Sequence, residues 1–127
     1  GRGRLSALGD AGRGLGWIAN VPVAYGTSQP AYHAQFERAL EALAAKVEPQ
    51  LVFLSAGFDA HREDPIGSLG LETEDFGRLT QSVIQVANQY AEGKVVSVLE
   101  GGYHPQRLAE SVGVHLAELI ANDSTTT

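Results

Sequence analysis

Two short apolar runs, Leu51–Leu54 and Val95–Leu99, constrain this chain more than any other feature, because each runs straight into a glycine-bearing loop. Runs of that length and composition describe strands covered on both faces, the pattern of a parallel sheet. Helical patterns flank them. Phe76, Leu79, Val83, Val86 and Tyr90 form one apolar stripe, opened by the Thr73 hydroxyl with Glu74 and Asp75 behind it and ended by Gly93. Phe36, Leu40, Leu43 and Val47 form another between Pro30 and Pro49. Pro105 opens a third, with Leu108, Val112, Leu116 and Leu119 on one face. Strands alternating with such helices predict an α/β fold with a mostly parallel sheet and right-handed crossovers. A weaker extended segment, Trp17–Val21, is ended by Pro22. Residues 1–15 read as a loop or frayed end, and residues 122–127 as a polar, disordered tail.

Strands buried on both faces need neighbours on both edges, and two strong strands do not supply them. The 127 residues therefore read as part of one domain, and the absence of any methionine, the first residue included, points the same way. A net charge of −6 argues against nucleic acid as a direct partner, since phosphate binding needs clustered Lys and Arg. The lack of cysteine removes disulfides, thiolate catalysis and cysteine-ligated metals. No apolar run approaches the roughly 20 residues of a membrane span, and no targeting signal is present, which leads to the expectation of a cytoplasmic protein.

In open parallel sheets, ligands bind beyond the carboxyl ends of the strands. Two loops leave such ends here, Gly57–His61 and Glu100–His104, and the topology could set them side by side. Asp59, directly after a buried strand and a glycine, reads either as a turn former or as a metal ligand or acid–base group. Asp59-Ala60-His61 has the D-x-H spacing that puts two ligands on one face of an extended segment, but such strings arise often by chance. A catalytic zinc site needs about three protein ligands, and no third is evident. His33 reads as a surface residue of the first helix, and His115 as a helix-face histidine near Leu116. Neither dinucleotide nor phosphate-loop glycine patterns occur. No G-x-S-x-G elbow is present either, so Ser55 is expected to hydrogen-bond within its own strand end.

At these two loops the sequence resembles the C-terminal part of the zinc-dependent histone deacetylase family, which includes acetylpolyamine amidohydrolases. The matching stretches are Asn20–Pro22, Pro49–Gly67, Leu71–Phe76 and Val95–Tyr103. They fall in the family's order over roughly residues 12–120. The strings S-A-G-F-D-A-H-x-x-D-P and L-E-G-G-Y are specific, and they are closer to the bacterial and class II branch. The resemblance implies a three-layer α/β/α fold of the arginase/deacetylase type, present here as a C-terminal portion, and a zinc-dependent amide hydrolase.

Residue by residue, the resemblance implies that Asp59 is a zinc ligand. Tyr103 is implied to hydrogen-bond the substrate carbonyl and the developing oxyanion; an unperturbed phenol keeps its proton to about pH 10. Gly101 and Gly102 would line the acyl-lysine channel, where bare backbone allows close approach, and Ile66 would form part of its wall. Phe58 would pack beneath the metal loop, and His61 is not carried over as a ligand. Residue 104 is His where the family usually has Asn, which unsettles the local turn hydrogen bond. The family's other two zinc ligands and its tandem-histidine base belong to upstream segments, so this chain carries part of a site and is expected to be inactive alone. Zinc would polarise the acetamide and lower the pKa of its water to about 7, releasing acetate and a free amine from acetyl-lysine or an acetylpolyamine. The acidic balance suits cationic amines. A K+ site and a homo-oligomer fit the resemblance without residues to assign to either. Two other readings stand beside it: a non-catalytic deacetylase-like module that binds a partner, and an unrelated small flavodoxin-like protein binding a phosphate ligand.

Overall fold

The computed structural model describes residues 16–125. The elements follow in the order α1 (Gln29–Val47), β1 (Val52–Ala56), α2 (Thr73–Tyr90), β2 (Val95–Leu99) and α3 (Pro105–Thr125). β1 and β2 pair in parallel, with Val52 opposite Val95 and Ala56 opposite Leu99, and α2 is the crossover between them. This is the α/β arrangement expected from the two apolar runs. The Trp17–Val21 segment forms no strand, and the reading of residues 1–15 falls outside the described residues. α3 runs on to Thr125, past the point where the sequence predicts a polar tail. No helix among the described residues is long and apolar enough to cross a membrane.

The helix ends follow local chemistry. Ser28 caps α1, its hydroxyl accepting from the Ala31 N–H at 3.3 Å, and Glu48 ends the helix in the left-handed region just before Pro49. At α2 the sequence reading is corrected: the cap residue is Glu72, not Thr73. Asp75 Oδ2 accepts from the Glu72 N–H at 2.7 Å, which closes a capping box and frees the Thr73 hydroxyl for another partner.

Asp75 also overturns the surface reading of His33. That imidazole is buried, 2% exposed, and its Nε2 lies 2.7 Å from Asp75 Oδ1. One carboxylate thus caps α2 and fastens α1 to it. His33 lies in register with the helical stripe of α1, but helical spacing alone shows no partner for it, because Asp75 lies on another helix.

The core gathers Ala56, Phe58, Leu71 and Phe76, with Leu54, Leu79, Leu108 and Val112 packed against them. His115 joins this layer, as the helix-face reading requires, through a directional chain of hydrogen bonds. Thr80 Oγ1 donates to the Phe76 carbonyl at 2.6 Å, so it accepts from His115 Nδ1 at 2.7 Å. His115 Nε2 is then the acceptor for the Ser97 hydroxyl at 2.8 Å. A neutral imidazole satisfies all of these bonds and ties α2, α3 and β2 together.

The other sheet face departs from the expectation of two covered faces. Phe53 opposes Val96, and Ser55 opposes Val98, on the side away from this core. Phe53 is 64% exposed, Val96 44% and Val98 40%. Strand side chains alternate between faces, and the helices cover only the face that carries Leu54, Ala56 and Ser97. Ser55 is exposed with the bare face.

Burial lowers the pKa of His115 below its ordinary value of 6.5. The unfolded chain therefore binds a proton more readily than the folded one as pH falls through that value, and stability declines toward acid. The thermal midpoint of the chain should drop between pH 7 and pH 5, and His115→Gln should flatten that drop when melts are followed by circular dichroism. An unchanged pH slope in the variant would assign the acid sensitivity to other groups.

Candidate functional site

Beyond Ala56 and Leu99 the two strands' continuations do not separate. The Glu100 N–H donates to the Ala56 carbonyl at 2.8 Å, and the Phe58 N–H donates to the Gly101 carbonyl at 2.8 Å. The parallel ladder thereby continues into both loops and brings Gly57–His61 beside Glu100–His104, the adjacency expected from the sequence. Phe58 is buried under this junction, its ring 5.2 Å from that of Phe76 and 5.7 Å from that of His115.

Asp59 sits over glycine on two sides. A methyl group added at Gly101 would lie 3.1 Å from the Asp59 Cγ and 3.2 Å from its Oδ2, and one at Gly57 would lie 3.2 Å from Oδ1. The carboxylate therefore rests close against glycine backbone, and a side chain at either position would push it aside by a few tenths of an ångström. Gly67 approaches closer still: its methyl would stand 2.4 Å from the Asp59 carbonyl oxygen. Gly102 has a φ of +138°, and a side chain there would meet Leu108 at 2.6 Å, so it is constrained twice over.

The segment after Asp59 folds back on itself. Leu69 and Leu71 N–H groups both donate to the Ala60 carbonyl at 3.1 Å, and the Arg62 N–H donates to the Leu71 carbonyl at 2.6 Å. His61, predicted not to be a ligand, is buried inside this turn. Its Nδ1 accepts from the Glu63 N–H at 3.0 Å, which leaves Nε2 to donate to Thr73 Oγ1 at 3.2 Å. Both ring nitrogens are committed, so the D-x-H string does not form a ligand pair.

Ile66 stands on the outer rim, 72% exposed, and Tyr103 is 50% exposed on the facing loop. His104 resolves the question raised by its replacement of Asn. Its Nδ1 accepts from the Arg107 N–H at 3.2 Å and caps α3, so the imidazole makes the turn bond itself. Arg107, in the first turn of α3, in turn ties that helix to the segment after Asp59 at the surface, donating to Glu63 and, at 2.8 Å, to its helix neighbour Glu110. Its hydrogen bond holds the Glu63 carboxyl below the usual range, although solvent screens so exposed a pair.

Two residues of this neighbourhood had no role in the sequence reading. Tyr32, on α1, has its phenol pKa raised by burial and then by the negative charge of Asp59, which places α1 within the electrostatic reach of that carboxylate. Asp64 is buried and accepts three backbone N–H bonds: Ile66 and Gly67 to Oδ1 at 2.8 and 2.9 Å, and Tyr103 to Oδ2 at 2.8 Å. Burial works against its charge, but these donors prevail and lower its pKa. The D-P dipeptide was the visible signal, since Asp before Pro favours a turn; its bond to Tyr103 was not legible.

Among the described residues no group of three or more His, Asp or Glu side chains is placed to hold a metal ion. Asp59 offers one anionic ligand, and a catalytic zinc needs about three from protein. The described residues taken alone do not fit a complete zinc site.

Residues 1–119 match the histone deacetylase domain. Over 112 residues the chain is 42% identical to polyamine deacetylase HDAC10 of Homo sapiens, which covers 87% of this chain and 16% of that protein. It is 32% identical over 124 residues to the chloroplastic histone deacetylase 14 of Arabidopsis thaliana, covering 98% of this chain and 29% of the relative. The crystal structure of acetylpolyamine aminohydrolase from Burkholderia pseudomallei superposes with a TM-score of 0.74 at 30% identity, over 91% of this chain and 33% of that one. The chain thus spans a third or less of each of these relatives.

Gly67→Ala should destabilise the chain by about 1–3 kcal/mol, the usual cost of forcing extra atoms into a closed contact, because backbone rather than a flexible side chain stands in the way. Chemical denaturation would measure it, and a loss below about 0.5 kcal/mol, the range of neutral surface changes, would mean that the loop over Asp59 is slack.

Proposed function

The chain belongs to the histone deacetylase family, and on that premise we propose that it contributes Asp59 and Tyr103 to a zinc-dependent site hydrolysing an acetyl amide of lysine or of a polyamine. The observation that carries this reading is the bond from the Phe58 N–H to the Gly101 carbonyl at 2.8 Å, which sets the Asp59 loop against the Tyr103 loop. Asp59 would supply one oxygen ligand, and the remaining ligands and the general base would come from residues outside this chain. Zinc, held jointly in that way, would supply Lewis acidity toward the amide carbonyl. Tyr103 would donate its phenolic hydrogen to the carbonyl oxygen as negative charge develops there. Gly101 and Gly102 would leave room for an extended acyl-lysine or polyamine chain, and Ile66 would form an apolar part of the wall.

A donor aimed at developing charge strengthens in the transition state and contributes to kcat rather than to binding. In the enzyme containing this chain, Tyr103→Phe should lower acetate release by roughly 10²–10³-fold while zinc content stays at the wild-type level. Unaltered turnover in the variant would remove Tyr103 from the reaction. A wild-type protein that takes up no zinc and releases no acetate would instead favour a deacetylase-like module that binds a partner without catalysis.

A further inference from the structure

We propose that Asp64 is the positioning residue that fixes Tyr103 relative to the Ile66–Gly67 segment, so that the carbonyl donor and the channel wall are set as one unit. This assignment rests on the reading of Tyr103 given above, but the contact itself does not. The two oxygens of Asp64 divide their work. Oδ1 takes the Ile66 and Gly67 N–H groups and shapes the turn that closes over the Asp59 carbonyl. Oδ2 reaches across to the other loop and takes the Tyr103 N–H. Asp64 is 5% exposed, so water does not compete strongly for these bonds. The Glu63–Arg107 pair joins the first of these loops to α3 instead and lies at the surface, where solvent weakens it.

An ionised carboxylate is required because all three partners are donors and none accepts. Asparagine has nearly the same shape but presents one acceptor oxygen and one amide NH2. With its oxygen kept on the two turn N–H groups, the NH2 would face the Tyr103 N–H, donor against donor. Asp64→Asn should therefore keep the Ile66–Gly67 turn and release Tyr103, a selective effect that loss of general stability would not produce.

Amide hydrogen exchange in the 127-residue chain tests the contact directly. In Asp64→Asn the Tyr103 amide should exchange at least tenfold faster, while the Ile66 and Gly67 amides and those of α2 keep their protection. Unaltered Tyr103 exchange would overturn the proposal. So would a loss of protection that extends through α2, because Asp64 would then be a folding residue.

Kinetics in the enzyme containing this chain supply the second test. Asp64→Asn should lower kcat by about tenfold to a hundredfold, the scale of a small misplacement of a catalytic group, with zinc content unchanged. Added to Tyr103→Phe, it should cost less than about twofold, because residues acting through one another are non-additive. An equal cost on both backgrounds would overturn the assignment. A wild-type enzyme releasing no acetate would defeat the functional reading instead, and exchange at Tyr103 would then decide the clamp by itself, for it if protection is lost and against it if retained.

Discussion

The site depends on the parallel ladder not ending with its strands. Two backbone bonds past the last paired residues, Glu100 to Ala56 and Phe58 to Gly101, hold together loops that the sequence separates widely. Such closeness demands that one loop present backbone alone. Gly101 and Gly57 leave the space the Asp59 carboxylate occupies, and Gly67 lets the following turn close over the Asp59 carbonyl. Conformational freedom is secondary at Gly57, Gly67 and Gly101; what matters there is the missing Cβ. Asp64 then crosses between the loops from inside, and Arg107 ties α3 to the first loop at the surface.

The same sheet is half covered. Its inner face carries the core and the Thr80–His115–Ser97 chain of bonds, and its outer face presents Phe53, Val96 and Val98 to solvent. Parallel strands in compact proteins are sheltered on both faces, and fully burying a Val or Phe side chain stabilises a fold by about 1.5–3 kcal/mol. The chain spans a third or less of the length of the polyamine deacetylase, the histone deacetylase 14 and the acetylpolyamine aminohydrolase compared with it above.

What the sequence made legible was decided by local chemistry. The runs at Leu51–Leu54 and Val95–Leu99 announced β1 and β2, and the glycines after them announced the loops, because those signals lie within a few residues of what they specify. The alternation of exposure within each strand was hidden, since a run of apolar residues reads as two covered faces whether or not a second layer is present. His33 was misplaced because its partner, Asp75, lies on another helix. Thr73 looked like a cap until Glu72 and Asp75 formed one. Asp64 carries only the local signal of an Asp before Pro, and the oxygen it extends to Tyr103 is a tertiary contact that no spacing rule anticipates. The family motifs named Asp59 and Tyr103, and the fold supplied the reason that they stand on one end of the sheet.

The central claim is that this chain carries one ligand and the carbonyl donor of a shared metal site rather than a site of its own. A calorimetric titration of the 127-residue chain with zinc tests it most directly. With Asp59 as the one ligand assigned to this chain, the account predicts no stoichiometric, high-affinity uptake, and no difference between the wild-type chain and Asp59→Ala. Tight uptake of one zinc per chain, abolished by Asp59→Ala, would contradict the claim and require a complete site within this chain.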